Sequence, residues 1–389
     1  PLPFTLDGDL KRNVDFWISI NTKYFTNQGL VHDAKNVDIV YEILDFNSGE
    51  KNKLIRASKK RYRELLLALH KKQAKGPVDV QSLSADEKRV YTLFLRVPER
   101  DKFLDAAHRR RLRFQLGQRD RFVVGLRESG RYLPWMEEIF RKRGLPVELT
   151  RLPFVESSFN VQARSKVGAS GIWQFMRSTG RLFLKINTQI DERNDPMRAT
   201  EAAAELLRVN FQSLGSWPLA VTAYNHGRQG LMRAVRKVGS DDIEDIVDEY
   251  RSRSFGFASS NFYSELVAAI EIERNAERYF GPIERAKPMR TYEFKRPDEI
   301  RFKDLVELLR LDRTQVVTLN PGLMDSVIRG RTLMPTGYLL RLPLVNGETE
   351  DSAKRNFQAG YDAIPKQYKR SRRPASLTGD GANRKDRVF

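Results

Sequence analysis

Residues 152–176, LPFVESSFNVQARSKVGASGIWQFM, hold the residue types that could do chemistry. Glu156 lies there between Phe154 and Phe159, in a chain that is otherwise strongly basic. A carboxylate beside aromatic rings loses water, which disfavours its charged form and raises its pKa. A glutamate tuned this way can donate a proton near neutral pH, as cleavage of a glycosidic bond requires. The plain alternative is a helix cap or an ion pair with one of the many arginines, since functional carboxylates are few. Three neighbouring features favour chemistry. Gly168 and Gly171 let backbone approach a ligand closely. Trp173 and Gln174 offer an aromatic face and an amide that suit sugar rings, although Trp173 also fits a core position under a tight turn. Tyr224 and Asn225 come to a helix end just before Gly227, and Tyr224 fits core packing as well as substrate contact.

The elements that must position these residues are mainly helical. The segment 131–146 predicts a helix stopped by Gly144 and Pro146. The segment 195–215 predicts another, with Asp195 as N-cap, Pro196 in the first turn and Gly215 past the end. Its buried stripe is Ala202, Ala203, Leu206, Leu207 and Phe211. A shorter helix over 217–227 and an amphipathic helix over 261–275 complete a compact helical domain, 125–287. Upstream, residues 1–124 predict an N-terminal helical region. Ser84 reads there as an N-cap with Glu87 closing a capping box, and 106–122, AAHRRRLRFQLGQRDRF, as a basic amphipathic helix. Downstream, 288–345 predicts a β-α-α-β order: a strand at 290–294, a helix at 301–312, a second within 313–323 that stops at Asn320-Pro321-Gly322, and a closing strand at 337–343. Residues 346–389 read as a disordered or loosely attached basic tail, with KRSRRP at 369–374 as its extreme.

The chain has 389 residues and a net charge of +19, which favours an anionic partner: a wall polymer, an acidic membrane face or nucleic acid. It has no cysteine, which excludes disulfides, thiolate metal sites and cysteine nucleophiles. No run of about 18 apolar residues predicts a membrane-spanning helix. The chain begins at Pro1, as it would after removal of a leader segment.

The series ESSFN, SKVGASGIWQFM, DERNDP, TEAAAELL and WPLAVTAYNHG, within about 125–280, resembles the family 1 lytic transglycosylases. These are the Slt type with a goose-lysozyme-like fold, and the Trp-Gln-Phe at 173–175 is similar to their membrane-bound lytic murein transglycosylase D type. The resemblance implies a lysozyme-like helical catalytic domain. Glu156 matches the family's single catalytic acid/base, and Ser157 a serine that contacts the glutamate or the sugar. Gln174, Tyr224 and Asn225 match substrate-binding positions. A further family tyrosine falls at Phe262 here, with Tyr263 one residue later. The implied reaction cleaves the β-1,4 bond between N-acetylmuramic acid and N-acetylglucosamine and closes a 1,6-anhydromuramoyl ring, with no metal or organic cofactor. The implied partners are peptidoglycan glycan strands, with an anionic membrane or wall contact through the basic surface and no nucleic acid. The implied location is the periplasm or cell envelope. The 288–345 region resembles a LysM module, although the usual Gly-Asp-Thr is replaced by RPDEI at 296–300.

Two other functions fit the same residues. One is a goose-type muramidase that hydrolyses the bond with water, for which a second carboxylate from Asp191, Glu192 or Asp195 would have to approach Glu156. The other is a non-catalytic basic protein that holds cell wall or nucleic acid.

Overall fold

The computed structural model describes Phe4 and residues 10–46, 49–345 and 347–369. They fall into two units. The first comprises the chain up to Thr179 together with Pro196–Pro288, and the second Gly180–Asp195 together with the chain from Met289. The fold is mainly α.

The first unit begins with helix α1 (Lys11–Thr22) and strands β1 (Gln28–Asp33) and β2 (Val40–Asp45). Helix α2 (Lys51–Gln73), two shorter helices and strand β3 (Leu112–Leu116) follow. The sheet is antiparallel in the order β2-β1-β3, with Val31 opposite Phe114 and His32 opposite Arg113. This corrects the expectation of an all-helical N-terminal region. Residues 106–122 are not one helix, because Leu112–Leu116 finds its backbone partners on the buried strand β1. Pairing with a strand distant in sequence overrides a local helical pattern. The sheet packs on α2 over a core that includes Tyr41, Tyr62, Leu66, Leu69, Phe94 and Phe103. The capping box forms: Glu87 N donates to Ser84 Oγ at 3.3 Å, and Ser84 N to Glu87 Oε2 at 2.9 Å.

The rest of this unit holds helices α3 (Arg119–Ser129), α4 (Leu133–Lys142), α5 (Leu152–Glu156), α6 (Pro196–Leu214), α7 (Trp217–His226) and α8 (Phe257–Arg274). On α6, Ala202, Ala203 and Leu207 are buried, while Leu206 and Phe211 are half-buried. Helix α8 packs against α1, α5 and α7 and is buried on most sides rather than along one stripe. Trp17 of α1 donates its indole N–H to Asn261 Oδ1 of α8 at 3.1 Å, so the N-terminal region is fastened to the helical core.

The second unit pairs β4 (Thr291–Lys295) antiparallel with β5 (Leu339–Pro343), with α9 (Phe302–Leu308) and α10 (Arg313–Leu319) between them. The β-α-α-β order is present, with one extra helical turn at Asp325–Ile328. Residues 350–362 correct the expectation of a loose tail. Helix α11 (Glu350–Asp362) is capped by Thr349 and packs Phe357 against Phe294, ring centres 4.8 Å apart. Its apolar spacing of Ala353, Phe357 and Tyr361 is what a polar composition hid. Most of KRSRRP lies outside the described residues. Asp191 pairs with Arg193 at 2.7 Å, and Asp195 with Arg341 at 3.2 Å.

Candidate active site

Glu156 is the last residue of α5, a helix of five residues with Pro153 in its first turn. Phe154 stacks on Phe122 of α3, centres 4.8 Å apart, and meets Phe159 edge-on at 4.7 Å. The chain then turns sharply. Ser157 N donates to the Pro153 carbonyl at 3.1 Å, and Ser157 Oγ to the Ile172 carbonyl at 2.9 Å. Ser158 and Phe159 have φ of 51° and 58°, and Gln174 has 49°. Among the described residues only four non-glycine positions have positive φ, and three of them adjoin Glu156 or its supporting loop. Side chains rarely adopt that backbone, and strain of this kind gathers where a site must be held in one geometry. Gly125 of α3 permits the approach, since a Cβ there would stand 3.0 Å from the Ser158 carbonyl oxygen.

Glu156 lines a cleft of about 1040 Å³. It keeps partial solvent exposure along the cleft, yet protein packed around its carboxyl pushes its pKa up to about 8. A second carboxyl, Glu265 of α8, lines the same cleft and is also pushed up to about 8, first by burial and then by the charge of Glu156. The Tyr224 phenol is raised well above its ordinary value by burial and by Glu156, and it donates to the Trp173 carbonyl at 2.7 Å. It is therefore a neutral hydroxyl within electrostatic reach of Glu156. Phe262 lies parallel to the Tyr224 ring, 6.3 Å away.

The other expected residues divide. Ser157 lines the cleft while it ties α5 to the 168–175 loop. Gln174 braces that loop, donating to the carbonyls of Gly171 at 2.8 Å and Ala163 at 3.2 Å. Asn225 is exposed and accepts from Ser259 Oγ at 2.9 Å. Phe262 and Tyr263 are buried, and Tyr263 meets Phe4. Trp173 is fully buried, stacks on Phe140 and donates to Thr200 Oγ1 at 2.9 Å, so it is a core residue rather than a sugar platform.

Among the residues that line the cleft without having been expected there are Glu265, Trp17 and Arg113. Glu265 had a signal. It is the one charged residue between 261 and 270, a stretch otherwise apolar or small and neutral. Trp17 and Arg113 had none, because the contacts that bring them there are remote in sequence. The second carboxylate sought among residues 191–195 is thus supplied to the cleft by Glu265 instead.

Residues 134–247 match the family described as the transglycosylase SLT domain. That segment holds Glu156, Ser157, Gln174, Tyr224 and Asn225, while Trp17, Arg113 and Glu265 lie outside it. The chain is similar to the membrane-bound lytic murein transglycosylase D of Escherichia coli K12, with 33% identity over 150 residues, or 38% of this chain and 32% of that protein. It is also similar to a putative tributyltin chloride resistance protein of Alteromonas sp. strain M-1, with 35% identity over 111 residues, or 28% of this chain and 53% of that one. The aligned stretches thus span about a third and about half of these curated relatives.

Proposed function

We propose that this chain, which carries a transglycosylase SLT domain, is a peptidoglycan lytic transglycosylase with Glu156 as its acid and base. The observation that carries the reading is the Glu156 carboxyl, raised to about 8 by burial and lining an open cleft. Such a group still holds its proton at neutral pH, as a general acid must.

The reaction runs in two steps. Glu156 gives its proton to the oxygen that bridges N-acetylmuramic acid C1 and N-acetylglucosamine C4. The C1–O bond breaks, its electron pair stays on that oxygen, and the N-acetylglucosamine leaves with a free 4-hydroxyl. The charge at C1 spreads to the ring oxygen and the substrate's own acetamido group. Glu156, now a carboxylate, takes the proton of the C6 hydroxyl of the same muramoyl sugar. O6 bonds to C1, and the 1,6-anhydro ring closes without water. Tyr224 remains neutral beside this charge cycle, and Ser157 fixes the turn that aims Glu156. Gln174, Asn225, Phe262 and Tyr263 do not line the cleft, and their part is to hold the loop and helices behind it.

The relative named above is membrane-bound by its name, and we infer an envelope location for this chain. The charge of +19 suits an anionic wall or membrane face there. No helix among the described residues is long and apolar enough to cross a membrane.

Glu265 favours a second reading, a muramidase, because two carboxyls in one cleft could also activate a water. Mass spectrometry of the fragments released from purified peptidoglycan decides. Anhydromuramoyl ends, one water lighter, support the lytic reaction. Reducing ends support hydrolysis. No release overturns both.

A further inference from the structure

The cleft carries a cation, Arg113, that forms no ion pair with a carboxylate among the described residues. Arg113 of β3 lines the cleft and stacks over the Phe257 ring, 4.0 Å from its centre. Its Nε is buried without a hydrogen-bond partner. Neighbouring arginines differ: Arg111 holds Asp33 at 2.7 Å, and Arg61 holds Asp86 at 2.6 Å. Lys59 of α2 lies near Arg113 and likewise has no ion pair among the described residues. Burial, and then the Arg113 charge, lower its pKa. Burial lowers that of Arg113 as well. His32, opposite Arg113 in the sheet, is pushed down to about 4 by burial and adds no charge near neutral pH.

Two half-buried like charges repel and lose water, so the arrangement is costly until an anion arrives. The acidic groups of the cleft do not supply it. Glu156 and Glu265 hold their protons near neutral pH. Asp120 is occupied by the Thr26 hydroxyl at 2.6 Å, and Glu128 by Arg131 at 2.9 Å. Stacking on Phe257 fixes the plane of the Arg113 guanidinium. Its edge N–H groups match a carboxylate in paired hydrogen bonds, which a lysine cannot do.

We propose that Arg113, supported by Lys59, is a carboxylate subsite that holds an anionic group of the glycan strand bound across Glu156. On a peptidoglycan strand that group belongs to the muramoyl substituent. It is either the lactyl carboxylate of a bare sugar or a carboxylate of an attached stem peptide. The subsite rests on the reading that the substrate is such a strand.

The test is calorimetric binding by the Glu156→Gln protein, which needs no turnover. Soluble muramoyl oligosaccharides are offered with stem peptides, stripped to the lactyl carboxylate, or with every carboxyl amidated. Adding Arg113→Gln should weaken binding of a carboxylate form about tenfold, the scale of a lost charged hydrogen bond, and leave the amidated form unchanged. Arg113→Lys should recover part of the loss. Lys59→Met leaves the Phe257 stack in place and should weaken the same form by less, which separates a lost subsite from a damaged fold. The form that responds identifies the carboxylate. Equal loss on the amidated strand, no loss at all, or no binding of any form overturns the subsite. Release of wall fragments by the unsubstituted protein, measured alongside, tests the reaction separately. Release together with binding that ignores Arg113 removes only the subsite, and Arg113-dependent binding without release removes only the reaction.

Discussion

Glu156 and Glu265 line one cleft from two different helices, and the charge of the first helps hold the proton on the second. Two carboxyls within reach of one another do not both ionise cheaply, so they titrate as a pair. Near neutral pH the pair keeps a proton available. The cleft thus holds a carboxyl whose proton burial retains near neutral pH, as the proposed donor to a glycosidic oxygen requires.

Replacing the acid is the first prediction. Glu156→Gln should lower the rate of fragment release by roughly 10²–10⁴-fold, the usual range for a general acid. Its melting temperature at pH 6 should stay near that of the parent, because glutamine replaces a carboxyl that is already neutral there. A variant that keeps more than about a tenth of the rate removes Glu156 from the chemistry.

The pH profile is the second. The proposed reaction requires protonated Glu156, so kcat/KM should fall as pH rises through about 8. Burial alone raises the Glu156 carboxyl, while burial first and then the Glu156 charge raise Glu265. Glu265→Gln should therefore leave the alkaline limb near pH 8. A limb that moves to lower pH means that Glu265 also holds the proton on Glu156.

Stability gives the third. Both carboxyls bind protons more tightly folded than unfolded. Their contribution is therefore complete below the ordinary carboxyl range and is lost as pH rises through about 8. The slope approaches about 1.4 kcal/mol per pH unit for each proton taken up on folding. Chemical denaturation at pH 5 and pH 9 should show this decline in the parent and a flatter response in Glu156→Gln/Glu265→Gln. Parallel declines in both proteins would place the titrating groups elsewhere.

The fourth concerns the turn after Glu156. A methyl at Gly125 would stand 3.0 Å from the Ser158 carbonyl oxygen, tighter than ordinary contact. Gly125→Ala should cost about 1–3 kcal/mol, the usual penalty of overpacking, and should lower kcat more than it raises KM, because it shifts the turn that aims Glu156. An unchanged kcat would show that the turn yields without moving the acid.

How much of this was legible in the sequence depended on distance along the chain. Glu156 between its aromatic neighbours, the Ser84–Glu87 capping box and the β4–β5 order are local patterns, and local patterns survive into the fold. Trp173 looked like a ligand platform because its indole could serve either use. Only its stack on Phe140 and its bond to Thr200 decide for the core. Strand β3 was hidden because its partner, β1, lies some 80 residues away, and Arg113 was hidden with it. Glu265 was visible in principle, as one charge in a helix buried on most sides.

The cleft draws Trp17 and Arg113 from the sheet-bearing N-terminal region and Glu156 from a helix inside the segment shared with relatives. If both proposals hold, reactivity and recognition are written in separate stretches of the sequence. Variation upstream can change which strands are accepted while the reacting group stays untouched. A fragment trimmed to the shared segment would keep its proton donor and lose one side of its grip.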